Sequence, residues 1–336
     1  MSEPATKMAR TDGTNGTNGD AAAQKFLLFG GTGWLGGMLI AMLTEQGKDF
    51  VVSKVRLQNR ESLEAELDRE QPTHVLCAAG VTGRPNVDWC EDHKEETIRT
   101  NVIGALNCAD CCSSRGIHMT LYATGCIFEY DDKRPMPTLQ ADGTWSEERT
   151  FEEDNEEDTP NFADSFYSFT KGHLEQMLRH IPNVLILRVR MPISDDLSPR
   201  NFITKICKYR RVVDIPNSMT VLTDLMPVSV TMAERGLTGV YNFCNPGPIS
   251  HHQILDLYKQ YIDPEFEYEG FSLEEQAKVI KAGRSNNTLS HTKLVEALPD
   301  VNIPPMLESI HGVFQRMKVN LEKEGIWPDN LPRQKI

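Results

Sequence analysis

Lys25-Phe26-Leu27-Leu28-Phe29-Gly30-Gly31-Thr32-Gly33-Trp34-Leu35-Gly36 is the stretch on which the fold turns. A short apolar run stops directly on glycines, which is how a strand buried on both faces reads. The glycines follow at GxxGxxG spacing, and residues 38–43 then supply the apolar stripe of a helix. In that setting each glycine has a mechanical reason. Gly30 permits a tight turn, Gly33 lets backbone approach a pyrophosphate, and Gly36 lets the helix pack closely on the strand. Thr32, Trp34 and Leu35 stand between and beside them, and the helix N-terminus faces the phosphates. The loop is expected to hold a dinucleotide.

Outward from this unit, apolar runs at 50–53, 74–78, 119–123, 184–189 and 240–243 read as further strands, with helices at 63–69, 95–113 and 166–179. Strands alternating with helices predict an α/β fold, a Rossmann-type doubly wound parallel sheet over residues 25–244. Beyond 245 the pattern turns to helices and loops punctuated by Pro246, Pro248, Pro264, Pro304 and Pro305. Residues 245–336 are expected to form a smaller substrate-binding cap on the sheet's carboxyl edge, with part of 190–225 contributing to the substrate site. Residues 1–24, with TNGTNG among them, carry too little apolar surface to offset ordering and read as a disordered tail.

The 336 residues are 39% hydrophobic and 25% charged, an ordinary globular balance. No apolar run is long enough to span a membrane, and the first twenty residues show no apolar signal segment. The expected home is therefore the cytosol. Eight cysteines are too sparse for a disulfide scaffold and read as reduced thiols. Cys108, Cys111 and Cys112 form a CxxCC run without a second ligand cluster, so packing is expected and no metal. Residues 147–158 hold eight acids and one arginine, −7 of the net charge of −13. The remaining −6 disfavours nucleic acid as a partner. The stretch 130–164 reads as a long acidic surface loop whose charge serves solubility.

An NAD site usually carries an acid after the second strand to bind the ribose 2′-hydroxyl. Residues 51–60 contain none, but do contain Lys54, Arg56 and Arg60, with Asn59 between the arginines. A 2′-phosphate on Arg56 or Arg60 is expected, so NADPH is favoured and NADH is left open. Ala78, Ala79 and Gly80 follow the third strand, where the sheet's carboxyl end should meet the cofactor.

Tyr167 and Lys171 stand four apart on one helix face. The ammonium and the nicotinamide's positive charge would both favour the ionised phenol. Thr124 ends the fourth long strand. The trio resembles the triad of the extended short-chain dehydrogenase/reductase family. That resemblance implies hydride transfer between nicotinamide and a carbonyl, with Tyr167 exchanging the proton and Thr124 orienting the oxygen. Cys126 lies two residues on, so strand alternation would point it the same way, although a packed apolar cysteine is the commoner fate. In GDP-fucose synthase-like enzymes a Ser-x-Cys at this place supplies an epimerisation acid/base, and Thr124-Gly125-Cys126 is similar.

Further blocks narrow the resemblance: residues 78–90, Arg190-Met191-Pro192-Ile193, 199–205, 216–221 and Arg284-Ser285-Asn286-Asn287. Together they resemble the eukaryotic nucleotide-rhamnose synthase/epimerase-reductase family and, more distantly, bacterial dTDP-4-dehydrorhamnose reductases. The resemblance implies a bifunctional 3,5-epimerase and 4-ketoreductase acting on a nucleotide-4-keto-6-deoxyglucose, UDP-linked rather than dTDP-linked by preference. It assigns the epimerising acid and base to Cys126 and Lys205 without saying which is which. Lys205, in a helix expected over 202–209, reads otherwise as a solvated lysine. Implied substrate contacts are Thr82, Gly83, Arg84, Asn86, Arg190, Asn201, Met219, Val221, Arg284 and Asn287, with Arg284 on a phosphate. The resemblance also implies a homodimer through the helices at 95–113 and 166–179. A separate 4,6-dehydratase is expected to supply the ketone, and the acidic 137–158 stretch is longer than the family leads one to expect. Two other readings stand: a 4-ketoreductase alone, with Cys126 merely packed, and a non-catalytic NADP-binding regulatory subunit. Retention of Thr124, Cys126, Tyr167 and Lys171 together argues against the second.

Overall fold

The computed structural model describes residues 24–83, 86–146, 149–153, 158–327 and 331. The expected tail lies outside these except for Gln24, as does Arg84. The strands are β1 Lys25–Phe29, β2 Asp49–Val52, β3 His74–Cys77, β4 His118–Thr124, β5 Val184–Val189, β6 Arg211–Val212, β7 Pro216–Asn217, β8 Gly239–Phe243, β9 Ile249–Ser250 and β10 Glu269–Gly270. Six of them form one sheet in the order β2-β1-β3-β4-β5-β8, every pairing parallel. The doubly wound Rossmann-like sheet is therefore present. Within the described residues β2 is the edge, with no strand beyond it. The order reverses between β1 and β3, the switch point where such sheets open a ligand crevice.

Strand alternation builds the two layers. Phe26, Leu28, Leu76, Leu185, Leu187 and Phe243 face one side, against helices Trp34–Glu45 and Leu222–Glu234. Leu27, Phe29, Val75, Met119, Leu121 and Ile186 face the other. There they meet helices Arg60–Glu70, Gly104–Ser113 and Phe166–Leu178, and Cys108, Cys111 and Cys112 are part of that packing. Each fully buried Leu or Phe contributes roughly 1.5–3 kcal/mol to such a layer. The helix expected over 95–113 is broken into Lys94–Thr97, a π-helical segment Ile98–Ile103 and Gly104–Ser113. A π segment turns side chains out of α register, and here Asn101 clasps Val81 through its N–H (2.8 Å) and C=O (2.8 Å).

The cap's core joins Ile193, Ile203, Ile206, Val212, Met219 and Val221 to Ile249, Ile254, Tyr258, Ile310, Phe314 and Met317. A boundary at 245 thus divides residues that pack together. Conversely, Leu294 and Leu298 return to the sheet's core.

The acidic 130–164 stretch is not simply a solvated loop. Phe151 seats beside Ile127, Phe128, Cys244 and Leu289 and bridges to Leu289. That anchor draws acids inward. Glu153 is buried and accepts the Asn242 backbone N–H at 2.8 Å, and buried Asp158 pairs with Arg134. Charge count alone hid the apolar anchor. Among the described residues no helix is long and apolar enough to cross a membrane.

Candidate active site

The glycine loop is shaped by contacts that leave no room for a side chain. Gly30 has φ +87°, and a Cβ there would lie 2.5 Å from the Ala79 nitrogen. At Gly36 a Cβ would lie 2.1 Å from the Gly30 carbonyl oxygen. Both glycines therefore let β1, its helix and the β3 turn close on one another. Gly33, in extended conformation, caps helix Trp34–Glu45 and donates its N–H to the Gly30 oxygen at 2.9 Å. Gly33, Trp34 and Leu35 on one side and Ala78, Ala79 and Gly80 on the other line a cavity of about 470 Å³ at the switch point. Thr32 is exposed at the turn. Backbone pressed this close at a helix N-terminus fits the diphosphate of a dinucleotide. The Trp34 indole N–H reaches over to the Asp196 carboxylate at 3.0 Å, tying the loop to the segment that leads into the cap.

The two arginines expected at the ribose differ. Arg60 is engaged by Glu64 one turn on in its own helix (2.9 Å) and by Asp110 of the neighbouring helix (2.6 Å). Arg56 is exposed just past β2. Asn59 is a helix cap, its side-chain oxygen accepting the Ser62 N–H at 3.1 Å.

Thr124, Cys126, Tyr167, Lys171 and Lys205 all line the same cavity. Thr124 ends β4, and Tyr167 and Lys171 come from helix Phe166–Leu178, whose start is capped by Ser165 on the Ser168 N–H (3.1 Å). Burial pushes the Tyr167 phenol above its ordinary range, Cys126 raises it further, and a hydrogen bond with Thr124 opposes both. The expected lowering by Lys171 is not among the influences on the phenol, and burial is the largest of them. A phenol that keeps its proton is the form that donates to a ketone oxygen. Burial lowers Lys171. Lys205, in helix Phe202–Ile206, is likewise lowered, first by burial and then by the charges of Arg200 and Arg284, while Cys126 raises it. It faces the cavity and not bulk solvent.

The cysteine is held from behind. Burial pushes the Cys126 thiol up, but the Arg190 charge and hydrogen bonds with Thr124, Arg190 and the Met191 backbone outweigh it, and the net shift is downward. The Arg190 guanidinium donates to the sulfur at 2.9 Å. Arg190 is thus a residue beneath Cys126 and not the substrate contact it was expected to be, because its side chain is fully enclosed by Asn287, Asn217 and Ser285.

Several other implied substrate contacts are also structural. Asn201 is buried and caps its helix, accepting the Ile203 N–H at 3.1 Å while donating to the Ser194 and Asp196 carbonyls. Met219 and Val221 lie in the cap's core. Asn287 donates to the Gly125 and Phe128 carbonyls. Gly83, at φ +71°, abuts the Trp89 side chain. Arg284 does line the cavity, but it pairs with Asp88 at 2.8 Å and so is not a free phosphate ligand. Thr82 and Asn86 line the cavity as expected.

Sequence reasoning missed Arg200, whose guanidinium crosses from the cap to the Thr82 hydroxyl (2.6 Å) and the Gly83 carbonyl (3.1 Å). Arg200 stands directly before Asn201 in a block already singled out, and a guanidinium is the better-suited neighbour for a diphosphate. Arg211, Tyr209 and His251 also line the cavity. The Ser250-x-x-Gln253 capping box marked the helix start that places His251, but nothing in it marked the ring's direction.

The family model described as RmlD substrate binding domain matches residues 24–317. A bifunctional dTDP-4-dehydrorhamnose 3,5-epimerase/dTDP-4-dehydrorhamnose reductase of Arabidopsis thaliana is 54% identical over 286 residues, 84% of this chain and 91% of that one. A trifunctional UDP-glucose 4,6-dehydratase/UDP-4-keto-6-deoxy-D-glucose 3,5-epimerase/UDP-4-keto-L-rhamnose-reductase of the same plant is 53% identical over 85% of this chain, which spans only 41% of that protein. Among solved structures, the L780 UDP-rhamnose synthase of Acanthamoeba polyphaga mimivirus superposes with a TM-score of 0.79 at 36% identity, over 88% of this chain and 100% of that one. A Bacillus anthracis dTDP-4-dehydrorhamnose reductase in complex with NADP has a TM-score of 0.71 at 18% identity, over 88% and 99%, a likeness of fold. With its glycine loop, its Thr-Tyr-Lys trio and these matches, the chain belongs to the RmlD family of extended short-chain dehydrogenase/reductase-type enzymes, alongside the bifunctional epimerase/reductases.

Proposed function

We propose that this enzyme converts a nucleotide-4-keto-6-deoxyglucose to the nucleotide-rhamnose by 3,5-epimerisation followed by NADPH-dependent 4-keto reduction, with UDP the preferred nucleotide. The observation that carries this reading is that one cavity holds both a reductase trio and a separate acid/base pair, Cys126 and Lys205. A ketone at C4 acidifies the hydrogens at C3 and C5, so one acid/base pair can serve both centres. Such a pair needs to reach both faces of the ring. NADPH, when bound by residues 33–35 and 78–80 with Arg56 on the 2′-phosphate, supplies the hydride. Thr124 orients the ketone oxygen and Tyr167 gives it a proton. Lys171, buried one helical turn on, supports the cofactor's ribose and the phenol. Among the described residues Arg200 is the cation left for the substrate diphosphate, since Arg284 pairs with Asp88 and Arg211 with Glu275.

The dTDP-linked relative makes thymidine the alternative nucleotide, and substrate competition decides between them. The wider reading includes a cytosolic setting, a ketone delivered by a 4,6-dehydratase, and a homodimer. For the dimer, the exposed Ile98, Ile103, Phe169 and Met177 on the helices at 98–113 and 166–178 supply apolar surface. The decisive experiment follows NADPH consumption and solvent deuterium in heavy water with the 4-keto-6-deoxyglucose nucleotide. Label at C3 and C5 in a rhamnose product is expected. Reduction without label at either carbon overturns the epimerase half and leaves a 4-ketoreductase; no NADPH consumption overturns both halves. Cys126→Ala or Lys205→Ala should suppress label uptake far more than reduction of a ketone already in the rhamno configuration.

A further inference from the structure

Three arginines of the described residues are deeply buried, and two have an acid beside them. Arg188 is paired with Glu175, and Arg134 with Asp158. Arg190, 1% exposed at the end of β5, has none among the described residues. Its Nε donates to the Asn287 side-chain oxygen (3.2 Å) and its Nη2 to the Ser285 carbonyl (2.7 Å) and the Asn217 side-chain oxygen. These acceptors are neutral. Its Nη1 donates to the Cys126 sulfur at 2.9 Å. A buried guanidinium without a countercharge is strongly destabilising, so the geometry demands an anion, and the sulfur is the acceptor able to become one.

The backbone agrees. Met191 has φ +37°, a left-handed conformation that a methionine adopts at a cost, and its backbone helps lower the pKa of the Cys126 thiol. The Thr124 hydroxyl oxygen accepts the Cys126 backbone N–H at 3.1 Å, fixing the turn that carries the sulfur. The guanidinium from the end of β5 thus makes a short charge-assisted hydrogen bond to the sulfur, the contact expected of an anion's partner.

We propose that Arg190 is a positioning residue that holds Cys126 as a resting thiolate, so that Cys126 takes the sugar proton and Lys205 returns one on the opposite face; the inference rests on the epimerase reading above. The remaining ionisable groups around the pair are neutral or cationic. Burial pushes the Tyr130 and Tyr167 phenols up and the Cys244 thiol up to about 12, and lowers His251 to about 4. Lys205 is a cation or, once it has donated, neutral. None of them can balance Arg190. In the step itself, the C–H bond beside the ketone breaks and its electron pair moves onto the ketone oxygen as an enolate, while the proton forms an S–H bond. An N–H bond of the Lys205 ammonium then breaks to form the new C–H bond on the other face as the ketone is restored. The thiol and the neutral amine exchange with solvent before the second centre reacts.

The test is the pH profile of iodoacetamide alkylation in the substrate-free protein, read from the mass of the Cys126 peptide. Half-buried Cys207, which burial pushes up, serves as the internal comparison. Cys126 should alkylate with a midpoint below the ordinary thiol value of about 8.5. Arg190→Gln should raise that midpoint by at least about one pH unit, and Arg190→Lys, which keeps the charge, should recover most of the shift. Should the glutamine variant fail to fold, the wild-type midpoint decides alone. A wild-type midpoint at or above the ordinary value, or one unmoved in Arg190→Gln, overturns the proposal. The two readings fail separately. A low midpoint with no deuterium uptake from heavy water sinks the epimerase reading and the base role with it; deuterium uptake with an ordinary midpoint sinks only the role of Arg190.

Discussion

Glu175→Gln tests how helix Phe166–Leu178 is held. Glu175 lies one turn beyond Lys171 and receives the Arg188 guanidinium through Nε (2.9 Å) and Nη2 (2.6 Å), with Arg179 adding a third hydrogen bond at 3.2 Å. Arg188 is wholly enclosed, donates also to Asn242 at 2.9 Å and stacks 4.7 Å over the Phe128 ring. Glutamine keeps the shape of Glu175 but leaves a buried guanidinium without its countercharge. Breaking a buried pair in this way costs about 3–5 kcal/mol. Against a total stability of order 5–15 kcal/mol that is a large fraction. In a chain of this length it should lower the midpoint of thermal unfolding by on the order of 4–7 °C. Circular dichroism of wild type, Glu175→Gln, Arg188→Met and the double variant Glu175→Met/Arg188→Met makes the comparison. The double variant should be more stable than either single charge removal, because it leaves no charge buried alone. A Glu175→Gln midpoint within about 1 °C of wild type, or a double variant that loses the sum of the singles, refutes the argument.

Tyr167→Phe should cut ketone reduction by at least about a hundredfold while NADPH affinity changes little; near-normal turnover would remove Tyr167 from the proton-transfer role. Gly36→Ala places a methyl against the Gly30 carbonyl and should abolish measurable NADPH binding by fluorescence titration, whereas Gly37→Ala, which meets nothing within 4 Å, should bind normally. Arg56→Ala should weaken NADPH more than NADH, and an equal effect on both would assign the 2′-phosphate to another group. His251 links acid to unfolding: its pKa is depressed to about 4 from an ordinary 6.5, so between these values the unfolded chain takes the proton first. That contribution is whole above about pH 6.5 and is lost as pH falls towards 4, a total of roughly 3 kcal/mol. His251→Asn should flatten this part of the acid limb in urea titrations, and an unchanged slope would locate the linkage elsewhere.

The glycine loop, the strand–helix alternation and the Tyr167–Lys171 spacing were legible because each is a local pattern with one mechanical purpose. Gly30 and Gly36 are needed for backbone contacts a few residues away, and Tyr167 and Lys171 share a face by helical spacing alone. The cap resisted for the opposite reason. Met219, Val221 and Asn287 stand in blocks that resemble a substrate-binding family, yet their role is to pack and hydrogen-bond behind the cavity wall, which only the tertiary fold decides. Arg190 and Arg200 look alike in sequence, but the first is sealed beneath Cys126 and the second spans the cleft. The acidic strap misled because its count of carboxylates says nothing about Phe151, the residue that pins it.

The cap's dependence on distant segments has a consequence for how the chain is made. Ile193 and Ile203 leave the sheet's first half early, but the apolar partners that cover them include Ile310, Phe314 and Met317 on helix Met306–Lys323. During synthesis the first five sheet strands can pair in order as they emerge, whereas the cap's half-core waits exposed for more than a hundred residues of further translation. Contacts so far apart in sequence close slowly. The interval is the stretch in which the nascent enzyme presents its stickiest surface, with the sheet side of the cavity already built and its cap side not yet roofed. A ribosome-stalled chain ending before residue 306 should therefore show chaperone capture through the 193–221 segment, and release from it when the final helix has emerged.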